Sequence, residues 1–268
     1  MEYAPRYDKR RATHIVSRDH GRLQGKECWP IRGIRYDGGL AKECPASVNE
    51  NGVTLEGIES VIYKQLMNVL AEKKGNCIDS VIALDFGGMY GIPFIRLAKS
   101  TEDLVRRGKI AYVVSNLIFN PAIMSDEEVR SFSGLNHSDY NNFFLKNRGL
   151  VHFITSDADE LKSIKINLPN KGIIPLYKNI DIIHEDNALG KSQLLDSDLP
   201  ALGESLSPQG VFFLGDRDAN LTINPRAFKL GVRNLLQGDI RKVNLDDHSQ
   251  YDVYVKPKAP KLIVTSSS

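Results

Sequence analysis

The segment of this sequence best suited to chemistry is a short apolar run that ends in an acid and passes at once into a glycine-rich turn: Val81-Ile82-Ala83-Leu84-Asp85-Phe86-Gly87-Gly88-Met89-Tyr90-Gly91-Ile92-Pro93. Glycines permit a tight turn and let a ligand approach the main chain closely. Pro93 suits the first turn of a following helix, where its missing N–H costs nothing. That helix end offers free N–H groups and a positive dipole to a carboxylate or phosphate. Asp85 stands two residues before Gly87. Dinucleotide-binding turns instead run from an apolar strand straight into G-x-G-x-x-G, with their acid about 20 residues later. An acid placed first is suited to accept from an ammonium. A turn that merely joins strand to helix would need the same glycines, so both uses stay open on this segment alone.

Other polar residues stand at the ends of apolar runs. His184, Glu185 and Asp186 follow Ile180–Ile183. A histidine such as His184 is a candidate to take a proton near neutral pH, and Glu185 or Asp186 would position an amine; the alternative is three polar strand-end residues without a role. Asn116 closes Ile110–Ser115, where it either bonds a hydroxyl or forms a turn. Asp157 and Ala158 follow Val151–Ile154, and Asp157 alternatively caps a helix beginning near Ala158. The six histidines show neither HxH nor HExxH spacing and the three cysteines form no CxxC pair, so no metal site is expected. No G-x-S-x-G supports a serine hydrolase.

The elements that must position these residues alternate. Val81–Leu84, Ile110–Val114, Val151–Ile154, Ile180–Ile183 and Val211–Leu214 read as strands. Between them lie candidate helices at 93–107, 125–132, 140–146, 158–164 and 194–206, with a further helix at 225–236. Buried runs alternating with helices predict βαβ units and a parallel sheet. Ile240–Leu245 and Tyr251–Lys256 read as an antiparallel hairpin at the sheet edge. Upstream, Thr54 reads as the cap of a helix with Glu56 and Glu59 in its first turn, its apolar face built from Ile58, Val61, Ile62, Leu66, Val69 and Leu70. The expected fold is α/β, a doubly wound, mostly parallel seven-stranded sheet with an antiparallel C-terminal hairpin and an irregular N-terminal extension. Residues 1–53 form the arm or cap, 54–257 the α/β domain, and 258–268 a flexible tail.

In order and spacing, residues 54–257 resemble a class I S-adenosylmethionine-dependent methyltransferase. Asp85, Gly87 and Gly91 match the family's D-x-G-x-G-x-G fingerprint, with Met89 at the middle glycine and Gly88 shifted by one. The resemblance implies S-adenosylmethionine as methyl donor, bound by Asp85, Gly87, Gly88, Gly91, Asn116, Asp157 and Ala158. Asp85 would take the methionyl ammonium, Asn116 the ribose hydroxyls in place of the family's acid, and Asp157 and Ala158 the adenine. His184, Glu185 and Asp186 end the fourth strand, which faces the transferred methyl, and are the candidate catalytic residues. Leu206-Ser207-Pro208-Gln209-Gly210 resembles the turn entering the fifth strand, with Gln209 at its first glycine. The terminal hairpin suits a reversed seventh strand. The alternative function is a methyltransferase-like binding or scaffold protein without turnover, and Met89, Asn116 and Gln209 are the departures that favour it.

Composition adds bounds. With 268 residues, a net charge of +2 and 41% hydrophobic residues, the chain reads as one ordinary globular domain. Nine lysines and arginines against four acids precede Asp37, enough to steer an anionic acceptor, although such a run is more often a solvated face. Tyr7, His14, His20 and Trp29 in that arm, or Phe132, Tyr140, Phe143 and Phe144 beyond Asn116, would line an acceptor pocket. The favoured partner is a small-molecule methyl acceptor, with nucleic acid or protein also open. No apolar run approaches the roughly 20 residues needed to span a bilayer, and the opening residues lack a secretory signal's apolar core. The expected setting is cytoplasmic.

Overall fold

In the computed structural model three strands are buried at every residue: β4 (Val81–Phe86), β5 (Ile110–Asn116) and β9 (Ile180–Glu185). Strands covered on both faces need continuous apolar runs rather than alternation. The structure describes residues 34–37, 47–73, 79–88, 90–116, 120, 122, 125, 127, 138–185, 195–215, 240–245 and 250–256. The other strands are β1 (Ile34–Asp37), β2 (Ser47–Glu50), β3 (Val53–Glu56), β6 (His152–Thr155), β7 (Lys165–Leu168), β8 (Gly172–Pro175), β10 (Leu206–Gly215), β11 (Ile240–Leu245) and β12 (Gln250–Val255). The helices are α1 (Gly57–Lys73), α2 (Ile92–Ser100), α3 (Glu102–Arg106), α4 (Ser138–Asn147) and α5 (Leu195–Ser205).

One eight-stranded sheet runs β1-β11-β12-β10-β9-β4-β5-β6. The five strands from β10 to β6 are mutually parallel. β12 is antiparallel to both β10 and β11, so it is the reversed strand, lying inside the sheet between its neighbours rather than at the edge. The fold is therefore α/β with a mostly parallel sheet and a C-terminal hairpin. The eighth strand, β1, comes from the segment expected to be irregular and pairs antiparallel with β11. Side chains alternate between two cores. Val81, Ala83, Tyr112, Val114, Ile182 and Phe213 pack with α1 and α2 on one face. Ile82, Leu84, Val113, Ile183, Phe212 and Leu214 pack with α5 and the β7–β8 hairpin on the other. Each fully buried aliphatic or aromatic side chain contributes roughly 1.5–3 kcal/mol.

Two local expectations are corrected. Thr54 does not cap α1: it lies in β3, and the helix opens at Gly57. Asn51 (φ 50°) and Gly52 (φ 73°) supply the two positive-φ residues that a primed two-residue hairpin turn needs, and they fold β2 onto β3. The helix expected over 158–164 is a single 3-10 turn, Asp159–Lys162. It is followed by β7, whose Ile166 and Leu168 are buried while Lys165 and Asn167 are exposed, a two-residue period that selects a strand. The helices expected over 125–132 and 225–236, the end of the first helix at Gly75 or Asn76, and the tail lie outside the described residues.

Two buried carboxylates tie elements together away from the glycine turn. Asp181, at the amino end of β9, accepts from Ile82 N–H (2.9 Å), Lys73 Nζ (2.7 Å) and Ser207 Oγ (2.7 Å). It thereby joins α1, β4, β9 and β10. Glu59, in the first turn of α1, accepts from Nε of Arg96 on α2 at 2.9 and 3.0 Å. Burial pushes the Glu59 carboxyl up to about 7 against the pull of Arg96. The folded state thus holds a proton that the unfolded chain releases near the ordinary glutamate value, so stability falls as pH rises from about 4.5 to about 7. Urea titrations across that interval should show the decline, and Glu59→Gln should flatten it; an unchanged slope in the variant would remove Glu59 as its cause.

Candidate functional site

The chain leaves β4 for β5 and β6 on one side of the sheet, then returns to β9 and β10 on the other. The order therefore reverses between β4 and β9, and in open α/β sheets ligands bind in the crevice outside the carboxyl ends at such a point. Asp85 and His184 are register partners across that seam. Nδ1 of His184 donates to Oδ1 of Asp85 at 2.9 Å, and each residue is 2% exposed. Phe94 of α2 lies over the imidazole, with ring centroids 6.2 Å apart. An ionised carboxylate has about four acceptor sites, and among the described residues the one donor to Asp85 is His184.

The turn after β4 is shaped around that acid. Gly87 (φ 74°) donates its N–H to Ser115 O at 2.8 Å, which fixes the turn to β5. A Cβ at Gly88 would stand 2.1 Å from Asp85 Oδ2, closer than any contact the two atoms could keep. Gly91 takes φ 61° as the residue before α2, and its N–H donates to Gly88 O at 2.7 Å. A Cβ there would meet Val114 Cγ2 at 2.5 Å. Pro93 sits in the first turn of α2, as its chemistry predicts. Tyr90 is buried edge-on to Phe144 at 6.0 Å, and burial pushes its phenol well above the ordinary tyrosine value. Tyr90 therefore stays protonated and packs.

The neighbouring strand ends carry the other expected donor-site residues. Asn116, 5% exposed, ends β5, and its carbonyl accepts from Ser156 N–H at 3.0 Å. Ser115 Oγ donates to Ser156 O at 2.8 Å. Asp157 and Glu160 form a reciprocal cap. Asp157 Oδ1 accepts from Glu160 N–H at 3.0 Å, while Glu160 Oε2 accepts from Asp157 N–H at 3.2 Å. Ala158 is fully buried. The ends of β4, β5 and β6 thus bring Asp85, Gly87, Gly88, Gly91, Asn116, Asp157 and Ala158 to one edge of the sheet.

Two of the three candidate catalytic residues, His184 and Glu185, lie on opposite faces of β9. Successive strand residues point to opposite faces. His184 shares a face with Asp85, whereas Glu185, fully buried, pairs in register with Phe86. Asp186 lies outside the described residues, as do Met89, Phe132 and the arm residues Tyr7, His14, His20 and Trp29. Sequence reasoning missed the Asp85–His184 pair. Its signal was the equal placement of the two residues, each one before the last of its own strand. Among the described residues no group of three or more His, Cys, Asp or Glu could hold a metal ion, and no helix is long and apolar enough to cross a membrane.

No family model matches this sequence, and no curated protein matches it. In fold the chain is similar to solved methyltransferase structures. One is the CurJ carbon methyltransferase, at 12% identity and a TM-score of 0.46, covering 75% of this chain and 53% of that one. Another is the precorrin-6y C5,15-methyltransferase from Geobacter metallireducens GS-15, at 12% identity and a TM-score of 0.42, covering 86% and 100%. The cyclase SpnF is also similar, at 13% identity and a TM-score of 0.46, covering 97% and 99%. The chain spans about half the length of the CurJ chain. At these TM-scores the likeness leaves the reaction open, and the residues at the sheet edge carry the functional argument.

The fit of Gly88 against Asp85 is directly testable. Gly88→Ala must swing the carboxylate away from His184, at a cost of about 1–3 kcal/mol typical of an overpacked interior. Gly149→Ala, with nothing within 4 Å of its new Cβ, should be close to neutral. Urea midpoints of the two variants compare them, and equal midpoints would refute the collision.

Proposed function

We propose that this chain is an S-adenosylmethionine-dependent methyltransferase of the cytoplasm, acting on a small-molecule acceptor. The observation that supports this most is Asp85: a buried carboxylate at the switch point, under a glycine turn, with one donor among the described residues. A buried charge is costly, and a ligand ammonium would offset that cost. The methionyl ammonium of the donor provides one. Gly87, Gly88 and Gly91 would let the donor lie close to the main chain. Asn116 would bond the ribose hydroxyls, Asp157 the adenine amino group through the oxygen not used for capping, and Ala158 the ring.

The bound donor would supply a methyl group on a sulfonium, ready for in-line displacement. The chain's own part is alignment of donor and acceptor, with a base where the acceptor must lose a proton. Because Nδ1 of His184 is engaged with Asp85, His184 on this reading holds that carboxylate. Glu185 and Asp186 are the remaining strand-end carboxylates for proton transfer or amine positioning.

Calorimetric titration with S-adenosylmethionine and S-adenosylhomocysteine, with NAD as control, tests the proposal. Saturable binding of the first two and none of NAD is expected; binding of NAD alone would make the chain a nucleotide-binding oxidoreductase instead. Asp85→Asn, which keeps the side chain's shape, should weaken donor binding at least about tenfold, or 1.4 kcal/mol. Undiminished affinity would exclude Asp85 from the donor site. Asn116→Asp should tighten binding several-fold, because a charged acceptor roughly doubles the strength of a hydrogen bond; weaker binding would mean that Asn116 does not meet the ribose.

A further inference from the structure

We propose that Ser115 is a positioning residue of the donor site: its hydroxyl holds the loop that would read the adenine, and its carbonyl holds the glycine turn. This rests on the donor reading above. Ser115 stands next to last in β5, in register with Phe86 on β4 and Ile154 on β6, and is 1% exposed. The residues before it in β5, Ile110–Val114, are aliphatic or aromatic. A strand covered on both faces gains nothing from a hydroxyl as such, because a buried polar group costs free energy unless it is bonded.

What this hydroxyl reaches lies beyond the sheet. The β5–β6 ladder ends with Asn116 opposite Thr155, and Ser156 is the next residue. Ser115 Oγ donates to Ser156 O at 2.8 Å, and the two hydroxyl oxygens lie 3.1 Å apart. A hydroxyl carries one proton, so Ser156 Oγ donates in turn to Ser115 Oγ. Ser156 N–H also donates to Asn116 O at 3.0 Å, which fastens this residue to the end of β5. On its far side Ala158 and Leu161 are fully buried. Asp157 sits between these anchors, its carboxylate set by the reciprocal cap with Glu160. On the other side of β5, Gly87 N–H donates to Ser115 O at 2.8 Å. One residue therefore ties the glycine turn and the Asp157 loop together, and removing its hydroxyl releases only the loop.

The consequence is that recognition of the adenine amino group depends on the Ser115 hydroxyl. The test is titration calorimetry of the full chain with S-adenosylhomocysteine and with S-inosylhomocysteine, in which a carbonyl replaces that amino group and would face the Asp157 carboxylate. Wild type should bind the adenosyl ligand at least about tenfold more tightly, because the inosyl ligand leaves that carboxylate without its donor. In Ser115→Ala the ratio should fall to within about threefold, since a loosely held acceptor no longer enforces the geometry that separates the two bases. Ser115→Thr keeps the hydroxyl and should retain the ratio, whereas Ser115→Val, of the same shape without it, should lose it. That pair carries the test even where Ser115→Ala does not fold. A role in stability alone would leave the ratio at its wild-type value.

A second measurement needs no ligand. Amide hydrogen exchange over residues 156–161 should be about tenfold faster in Ser115→Val than in Ser115→Thr, the effect of one hydrogen bond lost. The Gly87 amide, whose acceptor is the main-chain carbonyl of Ser115, should exchange equally in both. Equal affinity of wild type for the two ligands, an unchanged ratio in Ser115→Val, or equal loop exchange in the two variants would overturn the inference and leave the methyltransferase proposal standing. Absence of binding of both ligands to wild type would overturn that proposal instead, while the exchange comparison would still decide whether Ser115 holds the loop.

Discussion

The parallel seam between β4 and β9 is the constraint on which the rest of this structure depends. It is the point where the chain changes direction across the sheet, and it carries a buried carboxylate at each end. Asp181, at the amino end, receives a backbone N–H, a lysine and a serine. Asp85, near the carboxyl end, receives His184. The two acids are equally hidden, so exposure does not separate them; satisfaction does. A carboxylate with three donors of different kinds is a fastener, and breaking it would cost on the order of 1.5–3 kcal/mol per lost hydrogen bond. Among the described residues Asp85 is held by one side chain, at the register position next to the carboxyl end of β4.

The steric demands around Asp85 propagate outward from it. Only a residue without a Cβ can pass over its Oδ2, which accounts for Gly88. Only a residue that tolerates φ 61° while lying against Val114 can open α2, which accounts for Gly91. α2 then starts where its Phe94 can close over His184, and its Arg96 reaches back to Glu59 of α1. The order runs from a buried acid to a glycine turn, to the direction of a helix, to the docking of the next helix. A fold-level requirement and a site-level requirement meet in the same few residues. The turn is therefore a poor place to distinguish structural from functional glycines by sequence, and a good one to distinguish them by geometry.

How much was legible follows from how far each feature reaches along the chain. β4, β5 and β9 were visible because burial on both faces forces unbroken apolar runs such as Ile110-Ala111-Tyr112-Val113-Val114. The glycine turn was visible because all its parts lie within a few residues. The β2–β3 hairpin was hidden by a competing local signal: Thr54 followed by acids looks like a helix start, and Asn51-Gly52 outweighs it only once Ser47–Glu50 is there to pair with. The β7–β8 hairpin was hidden by the expectation of a crossover helix, although Ile166 and Leu168 alternate as a strand requires. The Asp85–His184 contact joins residues 99 apart in sequence. Nothing local marks it, and it appears only when β4 and β9 are known to be neighbours in register.

The departures from the methyltransferase fingerprint are of two physical kinds. Gln209 stands where a glycine is usual, yet it adopts φ 66°. The left-handed conformation costs a side-chain-bearing residue roughly 1–2 kcal/mol. It is maintained by the exchange of Gln209 N–H to Lys256 O at 3.1 Å and Lys256 N–H to Gly210 O at 2.9 Å, which holds the start of β10 against the end of β12. A residue with a side chain here keeps a backbone conformation that favours glycine, at the amino end of β10. Asn116 is the opposite case: it ends β5 where the fingerprint this sequence resembles has an acid, and it carries no charge. On the donor reading the ribose would then be bonded without charge assistance, and a larger share of recognition would fall on Asp85. On that reading the acid that carries the recognition is held, among the described residues, by the His184 imidazole.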